Sequence, residues 1–163
     1  MATMAQAGRY CTFTLDGLLF GVEVERVQEV LASQRMTKVP LAPAIVGGLV
    51  NQRGHIVTAL NLRKRLGLKE RADGREPMII MVRSDDGITG WLVDQIGDVL
   101  ETREADFEPA PPTLQGVGRE LISGAFKLEN KLLLLLDVNK VLSQGENGRK
   151  AWTTDSASRA VQP

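Results

Sequence analysis

Few side chains in this sequence suit acid–base or nucleophilic chemistry. Among its 163 residues one is a histidine, His55, and one is a cysteine, Cys11. A general base works when a nucleophile and an orienting carboxylate stand around it. The sequence around His55 supplies neither, and His55 reads as an exposed residue just past a hairpin tip. Cys11 falls in an alternating strand pattern and reads as a small core side chain. A single cysteine leaves no intrachain disulfide and no two-cysteine zinc motif. Gly47-Gly48 lacks the Gly-Lys-Ser/Thr that would complete a phosphate loop. The carboxylates Asp85, Asp86, Glu101, Glu104, Asp106 and Glu108 lack the spacing of a calcium loop and read as solvated faces. The expectation is a chain with no catalytic residue, no metal and no cofactor, which works by binding.

Composition narrows what it binds. Lys plus Arg number 20 and Asp plus Glu number 20, for a net charge of zero. Non-specific nucleic-acid binding draws on surplus positive charge to displace counterions, and none is available overall. The aromatic side chains, 4% of the sequence, are too few for a base-stacking platform. The longest apolar run, residues 132–136, is far short of the ~20 residues that cross a bilayer. Residues 1–9 hold no apolar stretch of the secretory kind. The chain is therefore expected to be cytoplasmic, with no direct membrane insertion.

The elements that would carry a binding surface are short and extended. Residues 10–15 alternate Cys11, Phe13 and Leu15 with Tyr10, Thr12 and Thr14. Asp16-Gly17 then signals a tight hairpin, since glycine accepts positive φ, and residues 18–24 resume the strand. Residues 25–31 read as a short helix with Val27, Val30 and Leu31 on one face. Strands are expected at 49–50 and 56–60 around Asn51-Gln52-Arg53-Gly54. Asn61 can cap a helix over 62–66 that Gly67 ends. Residues 69–77 are polar and form the best internal linker. Further strands are expected over 78–82, 88–93, 99–102, 121–128 and 132–136, and Asp137 can cap a last helix over 138–142. The ends, 1–8 and 143–163, hold little to bury and read as disordered tails.

An internal repeat organises these elements. Residues 21–31 align with 90–100 at an offset of 69, and each block follows an Asp-Gly, Asp16-Gly17 or Asp86-Gly87. Residues 48–66 align with 124–142 at an offset of 76, each reading strand, turn, strand, Asn or Asp cap, short helix. Glycines and caps match as well as apolar positions. The repeat implies two similar β units of roughly 60 residues, too small to be stable alone. They are expected to pack on each other and leave a groove at their junction.

The segment Val27-Gln28-Glu29-Val30, then Pro40, then Pro43-Ala44-Ile45-Val46-Gly47-Gly48-Leu49-Val50-Asn51-Gln52-Arg53-Gly54 resembles the CheW family of chemotaxis coupling proteins. Val93-Asp94, Val99-Leu100 and Leu134-Leu135-Leu136-Asp137 extend the resemblance over residues 9–142. It implies an all-β fold of two packed SH3-like five-stranded β-barrels with short connecting helices. The first barrel would cover about 9–68 plus 131–142, and the second about 76–128. It also implies a non-enzymatic adaptor that binds the regulatory domain of a CheA-type histidine kinase and the cytoplasmic tip of methyl-accepting chemoreceptors. By position, Val27, Glu29, Val30, Asn51, Arg53 and Gly54 would face the receptor, with Val27 and Val30 open to a core role instead. Trp91, Val93, Gln95 and Ile96 would face the kinase, Trp91 being equally suited to anchoring a small barrel. Thr58, Asn61 and Gln95 stand where the family commonly has Pro, Asp and Gly. A coupler of a pilus or gliding system, and a nucleic-acid-binding pair of SH3-like barrels, are the alternative readings.

Overall fold

The computed structural model describes residues 7–32, 35–71, 74–109 and 117–142. The strands in order are β1 (Arg9–Leu15), β2 (Leu18–Glu23), β3 (Val27–Leu31), β4 (Val46–Gln52), β5 (His55–Asn61), β6 (Met78–Ser84), β7 (Gly87–Val93), β8 (Gln95–Glu101), β9 (Phe107–Glu108), β10 (Ile122–Lys127) and β11 (Leu132–Leu136). Three short helices intervene: α1 (Leu62–Arg65), α2 (Val117–Leu121) and α3 (Val138–Leu142). The Asn61 side chain accepts the Lys64 N–H at 3.1 Å and Asp137 accepts that of Lys140 at 3.1 Å, so both expected caps form. Gly67 has φ +74°, the left-handed conformation that stops α1.

The strands form two sheets, in the orders β8-β1-β2-β11-β10-β9 and β3-β6-β7-β5-β4. Under the repeat's offsets, β8, β1, β2, β11 and β10 correspond to β3, β6, β7, β5 and β4, so the two orders are the same. The irregularities repeat too. Register shifts fall between Val46 and Gly48 in one unit and between Ile122 and Gly124 in the other. The parallel pairs Gly21↔Leu135 and Ala59↔Gly90 are likewise equivalent. Bulges at matching places are reproduced design, not accidents of packing.

Strand pairing cuts across the barrel boundaries expected from the sequence. The hairpin β1–β2, from the first repeat, pairs with β8 and β11 of the second. The hairpin β6–β7, from the second repeat, pairs with β3 and β5 of the first. The repeats have exchanged hairpins, and each barrel is completed by the other half of the chain.

Alternation along the strands explains the shared core. Ile79 and Met81 point into one barrel with Val50, Val57, Ala59 and Leu92. Leu133 and Leu135 point into the other with Tyr10 and Phe126. Their neighbours Ile80, Val82, Leu134 and Leu136 join Phe13, Phe20 and Trp91 in a central cluster between the sheets. Such strands are buried on both faces, which is why 132–136 is an unbroken leucine run.

Two of the matched glycines are required by close approach. A Cβ on Gly48 would lie 2.9 Å from the Thr37 carbonyl oxygen, and one on Gly124 would lie 2.4 Å from the Phe107 ring. At both places a crossing segment closes a barrel: Thr37 bridges to Leu49 on β4, and Phe107 pairs with Phe126 on β10.

Three local expectations change. Residues 25–31 are a single 3₁₀ turn, Val24–Arg26, followed by the strand β3. A bulge lies between Val27 and Glu29, and the three residues share no face: Val27 packs on the central core, Leu31 packs into the barrel with Val50, and Val30 is exposed. The second hairpin turns at Asp85-Asp86, with Gly87 already paired to Ser84. Leu121 ends α2, so the strand of that hairpin starts at Ile122. Residues 1–6 and 143–163 of the expected tails lie outside the described residues.

Candidate protein-interaction site

The hairpin β4–β5 ends in a two-residue turn, with Gln52 paired to His55. Arg53 and Gly54 have φ of +54° and +85°, the paired positive values of the turn that matches strand twist. The Asn51 Oδ1 accepts the Gly54 N–H at 2.9 Å, so Asn51 fixes the turn from within. Gly54 supplies backbone geometry, and a non-glycine residue at Arg53 carries the strain.

This tip meets the far edge of its own sheet. β3 and β4 are the two edge strands, and Glu29 on β3 receives both partners across the seam. Gln52 Nε2 donates to Glu29 Oε2 at 2.6 Å and Arg53 Nη2 donates to Glu29 Oε1 at 3.2 Å. The bulge beside Glu29 aims it there. The Glu29 side chain is 26% exposed and that of Arg53 77%. An ion pair so open contributes little to stability, about 0–1 kcal/mol. It orients the guanidinium while leaving most of its fork in solvent, which suits recognition of a carbonyl or carboxylate.

Of the other residues expected to face a receptor, Val27 is half-buried and packs on the central core. Val30 is 41% exposed, so it is no core residue. Ile56, just past the turn, is 39% exposed. His55 is exposed at the turn, and Cys11 is half-buried with its thiol pushed up by burial and then by the charge of Glu25. Among the described residues no three of His, Cys, Asp and Glu gather in a way that could hold a metal ion.

The set expected to face a kinase divides by burial. Trp91 is fully buried on β7 and meets Phe13 edge-on, ring centroids 6.3 Å apart. Val93 is also buried. These two are core anchors and present no surface to a partner. Gln95 is exposed at the start of β8 and Ile96 is half-buried against the central core. Sequence reasoning missed Val99, 53% exposed on the same strand. The repeat carried the signal, because the offset of 69 places Val99 on Val30.

It also missed the ion pair Arg63–Asp94, where the sheets change over. Arg63 on α1 forks onto Asp94, with Nε to Oδ1 at 2.9 Å and Nη2 to Oδ2, and its Nη1 donates to the Lys69 carbonyl at 2.8 Å. The Asp16 N–H donates to Asp94 Oδ2 at 3.0 Å. Both side chains are 14% exposed. Burial pushes the Asp94 carboxyl up, but the hydrogen bonds from Arg63 and Asp16 and the charges of Arg63 and Arg71 outweigh it and hold it below the usual range. The pair ties α1, the β7–β8 corner and the β1–β2 turn together.

Two interlocked barrels with exposed turns and edges, and a central core shared by both sheets, define a binding module. A family model described as a CheW-like domain matches residues 9–146, and the chain belongs to that family. It is 30% identical over 150 residues to the chemotaxis protein CheW of Treponema pallidum, covering 90% of this chain and 88% of the relative. It is 33% identical over 132 residues to that of Bacillus subtilis, covering 81% and 85%. The crystal structure of the scaffolding protein TtCheW from Thermoanaerobacter tengcongensis superposes with a TM-score of 0.79 at 26% identity, covering 91% of this chain and 99% of that one. The two barrels are thus of the SH3-like kind, and the chain is a chemotaxis-type scaffold by family. Among the described residues no helix is long and apolar enough to cross a membrane.

Proposed function

We propose that this chain is a non-enzymatic cytoplasmic coupler that joins the regulatory domain of a CheA-type histidine kinase to the cytoplasmic tip of methyl-accepting chemoreceptors. The observation that carries the reading is the β4–β5 tip. Glu29 and Gln52 hold an exposed Arg53 at a tight turn, a recognition element that contributes little to stability. The receptor-facing residues are Glu29, Val30 and Arg53, with Asn51 and Gly54 shaping the turn and Val27 supporting β3 from the core. The kinase-facing residues are Gln95 and Ile96 on β8, supported from within by Trp91 and Val93. Family membership supports both partners.

The test is a titration of a receptor-tip fragment and of a kinase regulatory domain against the native chain and Arg53→Ala. The coupling reading expects both fragments to bind the native chain and to bind it together. It expects only the receptor fragment to lose affinity in the variant. Binding of neither fragment ends the reading.

A further inference from the structure

Among the places where the internal repeat is broken, one lies beside a cavity. The offset of 69 carries Glu25 onto Asp94, and the offset of 76 carries Arg63 onto Asn139. In one half Arg63 fills the space between α1 and the crossover, forked on Asp94 with Nη1 on a backbone carbonyl. In the other half Asn139 is too short to reach across. It donates to Asp85 Oδ2 at 3.3 Å instead. A cavity of about 400 Å3 remains, with Glu25 and Asn139 both in its wall.

The cavity's lining suits the missing side chain. The exposed lining is mostly polar, with the buried Tyr10 and Leu136 forming its apolar part, and Glu23 and Glu25 stand exposed at its edge. Glu23 takes the position that Leu92 holds in the filled half. Of the cations in the lining, Arg26 is turned to Asp85 at 3.5 Å and to the Arg83 carbonyl. Arg9 is exposed at the start of β1. The Asp137 carboxylate is occupied in capping α3. At Tyr10 the neighbouring carboxylates are felt: after burial, the charges of Glu23 and Glu25 push its hydroxyl up. An arginine can lay its methylenes on an apolar wall while its head meets carboxylates.

We infer that this cavity receives an arginine side chain of a partner protein, seated beside Glu25 as Arg63 is seated beside Asp94. This goes beyond the coupling reading and does not depend on it. The chain supplies its own arginine to one of two equivalent places and leaves the other to be filled from outside. A forked guanidinium, rather than an ammonium, matches the arrangement the chain itself uses.

The experiment follows the backbone amide resonances of the full isotope-labelled chain during titration with N-acetyl-arginine amide. The lysine and citrulline amides serve as controls. Saturable shifts at Glu25 and Asn139 are expected with the arginine compound, weaker ones with lysine and none with citrulline. Glu25→Gln should weaken binding about tenfold or more, the scale of one charge-assisted hydrogen bond. Asn139→Arg should keep the fold, fill the cavity from α3 and abolish binding. Shifts that do not saturate overturn the inference. So does citrulline matching arginine, lysine binding more tightly, or an Asn139→Arg chain that still binds. Binding seen only after removal of residues 143–163 would assign the arginine to the chain itself and end the partner assignment.

Discussion

Replacing Arg63 by alanine should destabilise the fold by about 3 kcal/mol at neutral pH. The figure follows from what the side chain touches. It makes two charged hydrogen bonds to Asp94 and one to the Lys69 carbonyl, all at a site where both charges are 14% exposed. Breaking a buried pair by removing one partner costs about 3–5 kcal/mol, because the other charge is left uncompensated. The low end applies here, since Asp94 keeps the Asp16 N–H and the charge of Arg71. In a chain of this size 1 kcal/mol moves the melting temperature by about 2–4 °C, so a fall of about 6–12 °C is expected. The pH dependence separates this cause from lost packing. In the native chain the Asp94 carboxyl is held low, so its stabilisation is present above the unfolded value and is lost as pH falls through the folded one. Without Arg63 the largest remaining influence is burial, which raises the carboxyl. Protonation then relieves the unpaired charge as pH falls. The gap between native and variant should therefore be widest near pH 7 and shrink toward pH 4. Chemical denaturation of both chains at a series of pH values measures it. A gap that stays constant across that range, or never exceeds about 0.5 kcal/mol, the ordinary scatter of surface substitutions, refutes the reasoning.

Arg53→Ala should lower receptor-tip affinity about tenfold to hundredfold, the worth of one charge-assisted hydrogen bond, and change stability by no more than about 1 kcal/mol. Titration beside a melting curve checks both, and Arg53→Lys should be impaired as well, because an ammonium lacks the planar fork. Gly48→Ala should cost about 1–3 kcal/mol, because its Cβ would meet the Thr37 carbonyl oxygen at 2.9 Å with φ at +153°; denaturant unfolding that matches the native chain would count against the account of barrel closure. Trp91→Ala should cost about 3–5 kcal/mol as a fully buried aromatic; unchanged stability together with lost kinase affinity would return Trp91 to the surface.

The repeat was legible because its signals are local. A cap, a turn glycine or a bulge glycine is set by a few neighbouring residues, and each occurs twice at the right spacing. The exchange of hairpins was not legible. An offset says which strands are equivalent, but not whether β1–β2 pairs within its own repeat or across to β8 and β11, since both choices bury the same faces. The misread helix at 25–31 has a similar origin, because Val27, Val30 and Leu31 have the spacing of one helical face but share no face in the structure. The site was legible in part. Arg53 and Glu29 are 24 positions apart and meet only when β3 and β4 close the barrel. Arg63 and Asp94 are 31 apart and meet across the sheet changeover. Burial finally separated Trp91 and Val93 from Gln95, which no sequence pattern did.

The two halves agree in their cores and part at their exposed turns, and that contrast bears on function. Carried through the repeat, Glu29 becomes Asp98 and Arg53 becomes Glu129. Two carboxylates stand where the first half has an ion pair, so the seam that holds Arg53 outward cannot form in the second half. There the chain turns differently, because Glu129 and Asn130 lack the positive φ that Arg53 and Gly54 adopt. The edge strands keep the exposed valines Val30 and Val99 at equivalent positions, each beside a carboxylate, while the turn that faces them changes from Arg53 to Glu129. The cavity by Asn139 is a third departure from the repeat. A shared core joins the barrels rigidly, because each is completed by a hairpin from the other half. Surface differences between the halves are then held at fixed distance and orientation. A scaffold that keeps two different partners in register needs such an arrangement: one set of packing rules, written twice, with two different faces.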